Sequence, residues 1–248
     1  MPALRIAHPM HIAHPELAPS RLDYHAAVAL QERLRDLVMT RGAVRPPCLV
    51  AGVDVSYDFV PTRFNKGKRA SELLYAAVVV LELPSLRLIE SASVASRAEF
   101  PYVPGLLSFR EIPPLLEAFR KLRVTPDVVL VDGQGIAHPR RCGLASHLGL
   151  VLDLPAVGCA KSRLIGEYRE PGLRRGSASE LRDGGEVIGR VLRTRDGVTP
   201  LFVSVGHKIS LDAAVALVLE CAPRYRLPET TRQAHALVNE LRAGSRKP

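Results

Sequence analysis

Cys48-Leu-Val-Ala-Gly-Val-Asp-Val-Ser-Tyr57 is an almost wholly apolar run of strand length, entered through Pro46 and Pro47 and broken by one charge, Asp54. A continuous apolar run of this kind reads as a strand covered on both faces. The aspartate therefore stands where an anion is expensive to keep. Two further strands, Leu73 to Leu83 and Leu86 to Ser96, follow and are joined by a turn at Pro84-Ser85. Three consecutive strands with short connections make an antiparallel meander. Beyond it the pattern alternates: a helix from Ser108 to Leu122, a strand from Asp127 to Asp132, a helix from Pro139 to Val151 and a strand from Ala156 to Ala160. That alternation implies parallel pairing. Strands at Glu186 to Thr194 and Leu201 to Val205, a helix from Ser210 to Cys221 and a last helix from Pro228 to about Leu241 complete the chain. The expected fold is α/β, with a central mixed sheet (antiparallel meander, then parallel strands) flanked by helices.

Upstream, Leu22, Ala26, Leu30, Leu34 and Leu37 recur at helical spacing behind a Ser20 to Asp23 start signal, and Gly42 stops them. The first twenty residues hold four prolines and three histidines and repeat Ile-Ala-His-Pro at residues 6–9 and 12–15. They read as a disordered N-terminal arm, with residues 21–248 forming one domain. Asp58 to Glu72, carrying Arg63, Lys66, Lys68 and Arg69, reads as an exposed basic hairpin loop, and Glu167 to Gly185 as a surface excursion.

The chain has 248 residues, 47% of them hydrophobic and 24% charged, which excludes the disordered and disulfide-scaffold classes for most of its length. No apolar run approaches the roughly 20 residues that cross a bilayer, so no membrane partner is expected. The 34 Lys and Arg against 25 Asp and Glu give a formal net charge of +9. A polyanion, nucleic acid first, is the expected partner, the alternative being a basic surface that only aids solubility. The four cysteines lie far apart without a C-x-x-C pair, as reduced thiols of a cytoplasmic protein would.

Several residues have the chemistry of a site. Asp54 and Asp132 interrupt or end two different apolar strands. Each is satisfied either by a salt bridge or cap, or, if the strands are neighbours, by a divalent cation between two repelling carboxylates. Oxygen ligands select Mg²⁺ or Mn²⁺. Glu111 is the third candidate oxygen donor, although Ser108-Phe-Arg-Glu111 also reads as a capping box. Asp132-Gly-Gln-Gly-Ile-Ala-His-Pro-Arg-Arg-Cys-Gly143 is the densest signal: Gly133 and Gly135 let the backbone turn tightly at a strand's carboxyl end, where open α/β sheets bind ligands. His138 is either a catalytic imidazole or the solvated entry of the helix that Pro139 begins. Lys161, just past a strand, either snorkels from the core edge or contacts a phosphate. In Pro101-Tyr-Val-Pro-Gly105, Tyr102 is either a wedge between stacked bases or a ring packed on its own prolines.

Taken together, Ala-Gly-Val-Asp54, Pro-Tyr-Val-Pro-Gly105, Ser-Phe-Arg-Glu111, Val-Asp132-Gly-Gln-Gly-Ile-Ala-His138-Pro, Ala-Lys161-Ser-Arg and Gly206-His207 resemble the endonuclease V family, in order from about Leu22 to Leu241. The resemblance implies an RNase H-like fold and a Mg²⁺-dependent endonuclease of DNA repair. Such an enzyme cuts the second phosphodiester bond 3′ to deoxyinosine, or inosine in RNA, leaving a 3′-hydroxyl and a 5′-phosphate. It also implies roles: Asp54, Glu111 and Asp132 as metal ligands, His138 and Lys161 at the scissile phosphate, and Tyr102 as the wedge. Backbone groups at Gly105, Leu107, Gly133, Gly135 and Leu164 would read hypoxanthine. Arg110 and Asp127 would support the site, and His235 would lie near it. Flipping a weakly paired base costs less than flipping a normal one. A monomer is expected. The alternatives are an RNase H-like nuclease with another structure-specific DNA or RNA target, and a non-catalytic nucleic-acid-binding module.

Overall fold

A computed structural model describes residues 9–19, 21–61 and 68–245. Among the described residues, a short 3-10 helix (Pro15–Leu17) is followed by thirteen α-helices and strands: α1 (Tyr24–Arg35), β1 (Cys48–Pro61), β2 (Lys68–Leu83), β3 (Arg87–Arg97), α2 (Leu107–Phe119), β4 (Val128–Val131), α3 (Leu144–Leu152), β5 (Ala156–Ala160), β6 (Ala178–Asp183), β7 (Glu186–Leu192), β8 (Leu201–His207), α4 (Leu211–Cys221) and α5 (Glu229–Gly244). The eight strands form one sheet in the order β3-β2-β1-β4-β5-β8-β7-β6. β1, β2 and β3 are the antiparallel meander. β4 and β5 run parallel to β1, and β8, β7 and β6 return antiparallel. This is the mixed sheet that the apolar runs imply.

Why β1 is apolar throughout is clear from its two faces. Ala51 and Val53 pack with Ile112, Leu115 and Phe119 of α2 and Leu148 of α3. Val50 faces the other way, with Leu130, Val157, Val203 and Leu217 of α4. α5 covers the meander on that second side, with Ala234 and Val238 over Tyr75, Ala77, Val79 and Leu81. Contact there is close enough to require a glycine: a Cβ on Gly52 would lie 2.2 Å from the Thr230 carbonyl carbon.

Five expectations change. The loose arm does not hold for residues 9–19: Met10 and Ile12 are buried against α2 and α3. The Met10 amide donates to the Leu122 carbonyl at 3.0 Å and the His14 amide to that of Val151 at 2.9 Å. Apolar residues between the prolines supplied enough burial to fix the segment; residues 1–8 and 20 lie outside those described. The capping box at Ser108 does not form, because α2 starts one residue earlier and Ser108 turns inward to the His147 ring at 3.0 Å. Pro139 does not open α3, which begins at Leu144 behind an irregular loop. Finally, the excursion at 167–185 contains β6, whose burial is too sparse to show as a strand pattern, and β1 and β2 run into the expected basic loop, whose residues 62–67 lie outside those described.

Candidate active site

The parallel pairing of β1 with β4 ends at Val53 opposite Val131. The next residue on each strand is an aspartate, so Asp54 and Asp132 follow at the same level on neighbours roughly 4.8 Å apart in backbone spacing. Asp54 lies inside the long β1 rather than at its end, since β1 continues against β2 to Pro61. Lys161 directly follows β5 and reaches back to form an ion pair with Asp132. Glu111 comes from the first half of α2, over the opposite face of the sheet from α5.

These side chains line one cavity of about 500 Å³. Asp54, Glu111, Asp132, Lys161, His138, Tyr102, Gly105, Leu107, Gly133 and Leu164 all contribute to its wall. Of the expected residues, Gly135 and His235 are not part of the lining. Gly135 lies beneath it, its amide bonded to Ser204 Oγ at 2.8 Å and its carbonyl to the Gly143 amide at 3.0 Å. A Cβ there would sit 1.9 Å from the Val205 carbonyl oxygen. It needs to be glycine so that the loop can cross β8, and its amide is already committed to Ser204. His235 acts from the second side: its Nδ1 lies 2.8 Å from Asp54 Oδ2. Geometry explains the meeting, because two strand residues from Gly52 to Asp54 span about 6.7 Å and five helical residues from Thr230 to His235 span about 7.5 Å.

Burial and neighbouring carboxylates raise the proton affinity of Glu111 and Asp54. Glu111 is pushed up to about 7, chiefly by burial and further by Asp54 and Asp132, against a hydrogen bond from Tyr57. The Tyr57 hydroxyl donates to Glu111 Oε1 at 3.3 Å, and the Tyr57 ring meets the Tyr102 ring edge-on at 6.2 Å. Asp54 is also raised, by burial first, with His235 opposing. Among the described residues, however, no group of three or more histidine, cysteine, aspartate or glutamate side chains is arranged so that it could hold a metal ion. Each carboxylate is held by a different neighbour: Asp54 by His235, Glu111 by Tyr57, Asp132 by Lys161. The three carboxylates share one cavity wall, without the convergence on a single point that a shared ion would need.

His138, expected as a catalytic imidazole or the solvated entry of a helix, lines the cavity but is not solvated. It is only 4% exposed, and burial, with Arg140 nearby, lowers its pKa to about 4. Its Nε2 faces the Gly105 carbonyl at 3.1 Å and its Nδ1 accepts from the Arg140 amide at 3.2 Å. A neutral ring with both nitrogens engaged positions backbone rather than carrying charge. Asp127 holds the Leu49 amide at 2.8 Å at the opposite end of β4, and His207, at the far end of β8, accepts from the Met39 amide at 3.3 Å. Neither reaches the cavity. Arg110 supports the site, donating to the Phe100 and Ser71 carbonyls beneath the Tyr102 loop and stacking 5.1 Å from the Tyr57 ring centre. The sequence does not single out Gln31, Tyr57, Arg140 or Ser204; two of them carry a signal, Tyr57 as the end residue of the apolar run three positions past Asp54 and Arg140 within the glycine-rich stretch from Asp132 to Gly143.

The Endonuclease V family profile matches residues 32–236. Endonuclease V of Nostoc punctiforme is 49% identical over 222 residues, 89% of this chain and 95% of that protein. The crystal structure of endonuclease V from Streptomyces avermitilis superposes with a TM-score of 0.84 at 42% identity, covering 93% of this chain and 97% of the other. Endonuclease V of Ciona intestinalis, solved in complex with a 24mer DNA containing an inosine followed by a ribo-adenosine, gives a TM-score of 0.72 at 30% identity over 88% and 96% of the two chains. Match, identity and coverage together decide the assignment: the chain belongs to the endonuclease V family.

Proposed function

We propose that this chain hydrolyses the second phosphodiester bond 3′ to deoxyinosine in DNA, and to inosine in RNA, using Mg²⁺ held by Asp54, Glu111 and Asp132, and leaving a 3′-hydroxyl and a 5′-phosphate. As an endonuclease V the chain is a metal-dependent nuclease that acts on phosphodiester bonds. The observation that carries the finer reading is one cavity whose lining brings the acids and Lys161 together with Gly105, Leu107, Gly133 and Tyr102. The inosine-containing DNA bound by the Ciona protein supports the same substrate class here.

The donor set fits a hard dication, because all three groups are oxygen donors and two, Asp54 and Glu111, are held above their ordinary proton affinity by burial first and by a neighbouring carboxylate. A bound Mg²⁺ supplies Lewis acidity and a more acidic water. The protein's own groups do the rest. Lys161 places a compact cation where phosphate charge grows during cleavage. His235 orients Asp54 through its 2.8 Å contact, and Tyr57 donates to Glu111 and favours its ionised form. Tyr102, 41% exposed at the cavity mouth, fills the gap that a flipped base leaves in the stack. The net charge of +9 favours the polyanion. We place the protein in the cytoplasm, a reading supported by four buried free thiols, and take it to act as a monomer.

The reading is tested by incubating one enzyme preparation with strands carrying deoxyinosine, ribo-inosine, deoxyuridine or a flap. Cleavage of the two inosine strands alone is expected. Preference for the flap or uracil strand would replace this reading with another nuclease specificity.

A further inference from the structure

Gln31 is a neutral polar side chain in the middle of α1, only 1% exposed, and α1 supplies none of the acids. Its amide joins two loops. Gln31 Nε2 donates to the Cys142 carbonyl at 2.6 Å, and its Oε1 accepts from Arg140 Nε at 2.5 Å. Arg140 in turn donates from Nη2 to the Gly105 carbonyl at 2.8 Å, beside the contact of that oxygen with His138 Nε2. A carbonyl oxygen has two lone pairs, and at Gly105 both are engaged by residues of one loop, His138 and Arg140. The peptide after Gly105 cannot then rotate without breaking two partly buried bonds, and the Leu106 amide is already committed to the Val103 carbonyl at 3.0 Å.

The position leaves no slack. Gly105 has φ +79°, and a Cβ there would lie 3.1 Å from Arg140 Nη2. On either side of Gln31, α1 is anchored by apolar contacts: Ala27 packs with Phe100, Leu106 and Phe109, and Leu34 with Cys142 and Leu150. One helix therefore grips both the loop bearing Tyr102 and Gly105 and the loop bearing Gly133, both of which line the cavity.

We infer that Gln31 and Arg140 are positioning residues that set the width of the base slot, so that α1, through Gln31, Arg140 and the Gly105 carbonyl, determines how strictly hypoxanthine is preferred over guanine. The inference rests on the proposed inosine specificity. Guanine differs from hypoxanthine by one 2-amino group, so a slot of fixed width excludes it on size and a loosened one admits it.

The test compares wild type, Gln31→Leu and Gln31→Glu. Leucine removes both the acceptor and the donor; glutamate keeps the acceptor for Arg140. The readout is the ratio of kcat/KM on a strand with inosine to that on the same strand with guanine, which does not depend on the fraction of folded enzyme. Gln31→Leu is expected to lower the ratio tenfold or more and Gln31→Glu to hold it within threefold, with the Mg²⁺ concentration for half-maximal rate unchanged within twofold in both. Hydrogen exchange at the amides of residues 105–108 is expected to quicken in the leucine variant only. An unchanged ratio and unchanged exchange in Gln31→Leu, or equal losses in both variants, would overturn the inference. A wild-type enzyme that cuts guanine as readily as inosine would instead overturn the proposed specificity, and the exchange measurement would still decide whether Gln31 holds the loop.

Discussion

His147 makes the stability of this protein depend on pH in a way that can be worked out. The ring is fully buried on α3, with Nδ1 3.0 Å from Ser108 Oγ, Nε2 2.8 Å from the Leu17 carbonyl, and the Phe109 ring edge-on at 5.0 Å. Burial lowers its pKa to about 4, against about 6.5 in an unfolded chain. As pH falls through about 6.5 the unfolded state takes up a proton and the folded state does not, so stability falls until about pH 4 and then levels off. At pH 5 that loss is about 2 kcal/mol relative to pH 8, from 1.36 kcal/mol per unit of pKa difference expressed. Glu111, raised to about 7, acts in the opposite sense: the folded state keeps its proton where the unfolded state has lost it, so its contribution falls as pH rises from about 4.5 to about 7. The two are separated by comparing wild type with His147→Gln, which retains a donor toward Leu17 and cannot titrate. With no tryptophan in the chain, urea unfolding followed by far-UV circular dichroism is the assay. The variant is expected to be about 1 kcal/mol less stable at pH 8, for the lost Ser108 contact, and to lose about 2 kcal/mol less than wild type between pH 8 and pH 5. Equal losses in the two proteins would refute the reasoning.

Three other substitutions address the site. Tyr57→Phe removes the hydroxyl donated to Glu111, so the acid limb of the pH–rate profile should move to higher pH; an unmoved limb would show that this contact does not tune Glu111. His235→Ala takes away the partner that opposes the upward shift of Asp54, and the metal concentration for half-maximal rate is expected to rise several-fold at pH 7 and less at pH 9, a dependence that metal titrations at the two pH values would reveal. Gly135→Ala places a methyl 1.9 Å from the Val205 carbonyl oxygen, and should destabilise the fold by more than about 3 kcal/mol, measured by urea midpoint; a shift below about 1 kcal/mol would show that the loop yields.

The strands were legible because burial on both faces leaves a nearly continuous apolar run, and Asp54 and Asp132 showed as charges inside such runs. Their adjacency was not: it depends on β4 pairing with β1 across the whole meander, a contact no local pattern encodes. β6 was hidden for the opposite reason, since an edge strand with one buried residue in six keeps a polar sequence. Residues 9–19 were misread because proline density masks a segment whose order comes from Met10 and Ile12 reaching a distant core. In the site, residues whose chemistry is exceptional for their setting stood out, whereas Gln31 and Arg140 looked like ordinary helix and loop polar residues. Their function lies in contacts 109 and 35 positions away along the chain. Gly135 illustrates a third limit: a glycine needed for a close crossing and one needed to face a ligand read alike.

The central claim is that carboxylates from β1, α2 and β4 act together on a phosphodiester bond beside a slot for hypoxanthine. It is tested most directly by mapping the cut in an end-labelled strand containing a single deoxyinosine, with wild type, Asp54→Ala and Asp132→Ala, in Mg²⁺ and in chelator. One Mg²⁺-dependent break at the second bond on the 3′ side, bearing a 5′-phosphate, is expected from wild type, and none from either folded variant. A break elsewhere, a break in chelator, or full cleavage by either variant would contradict it.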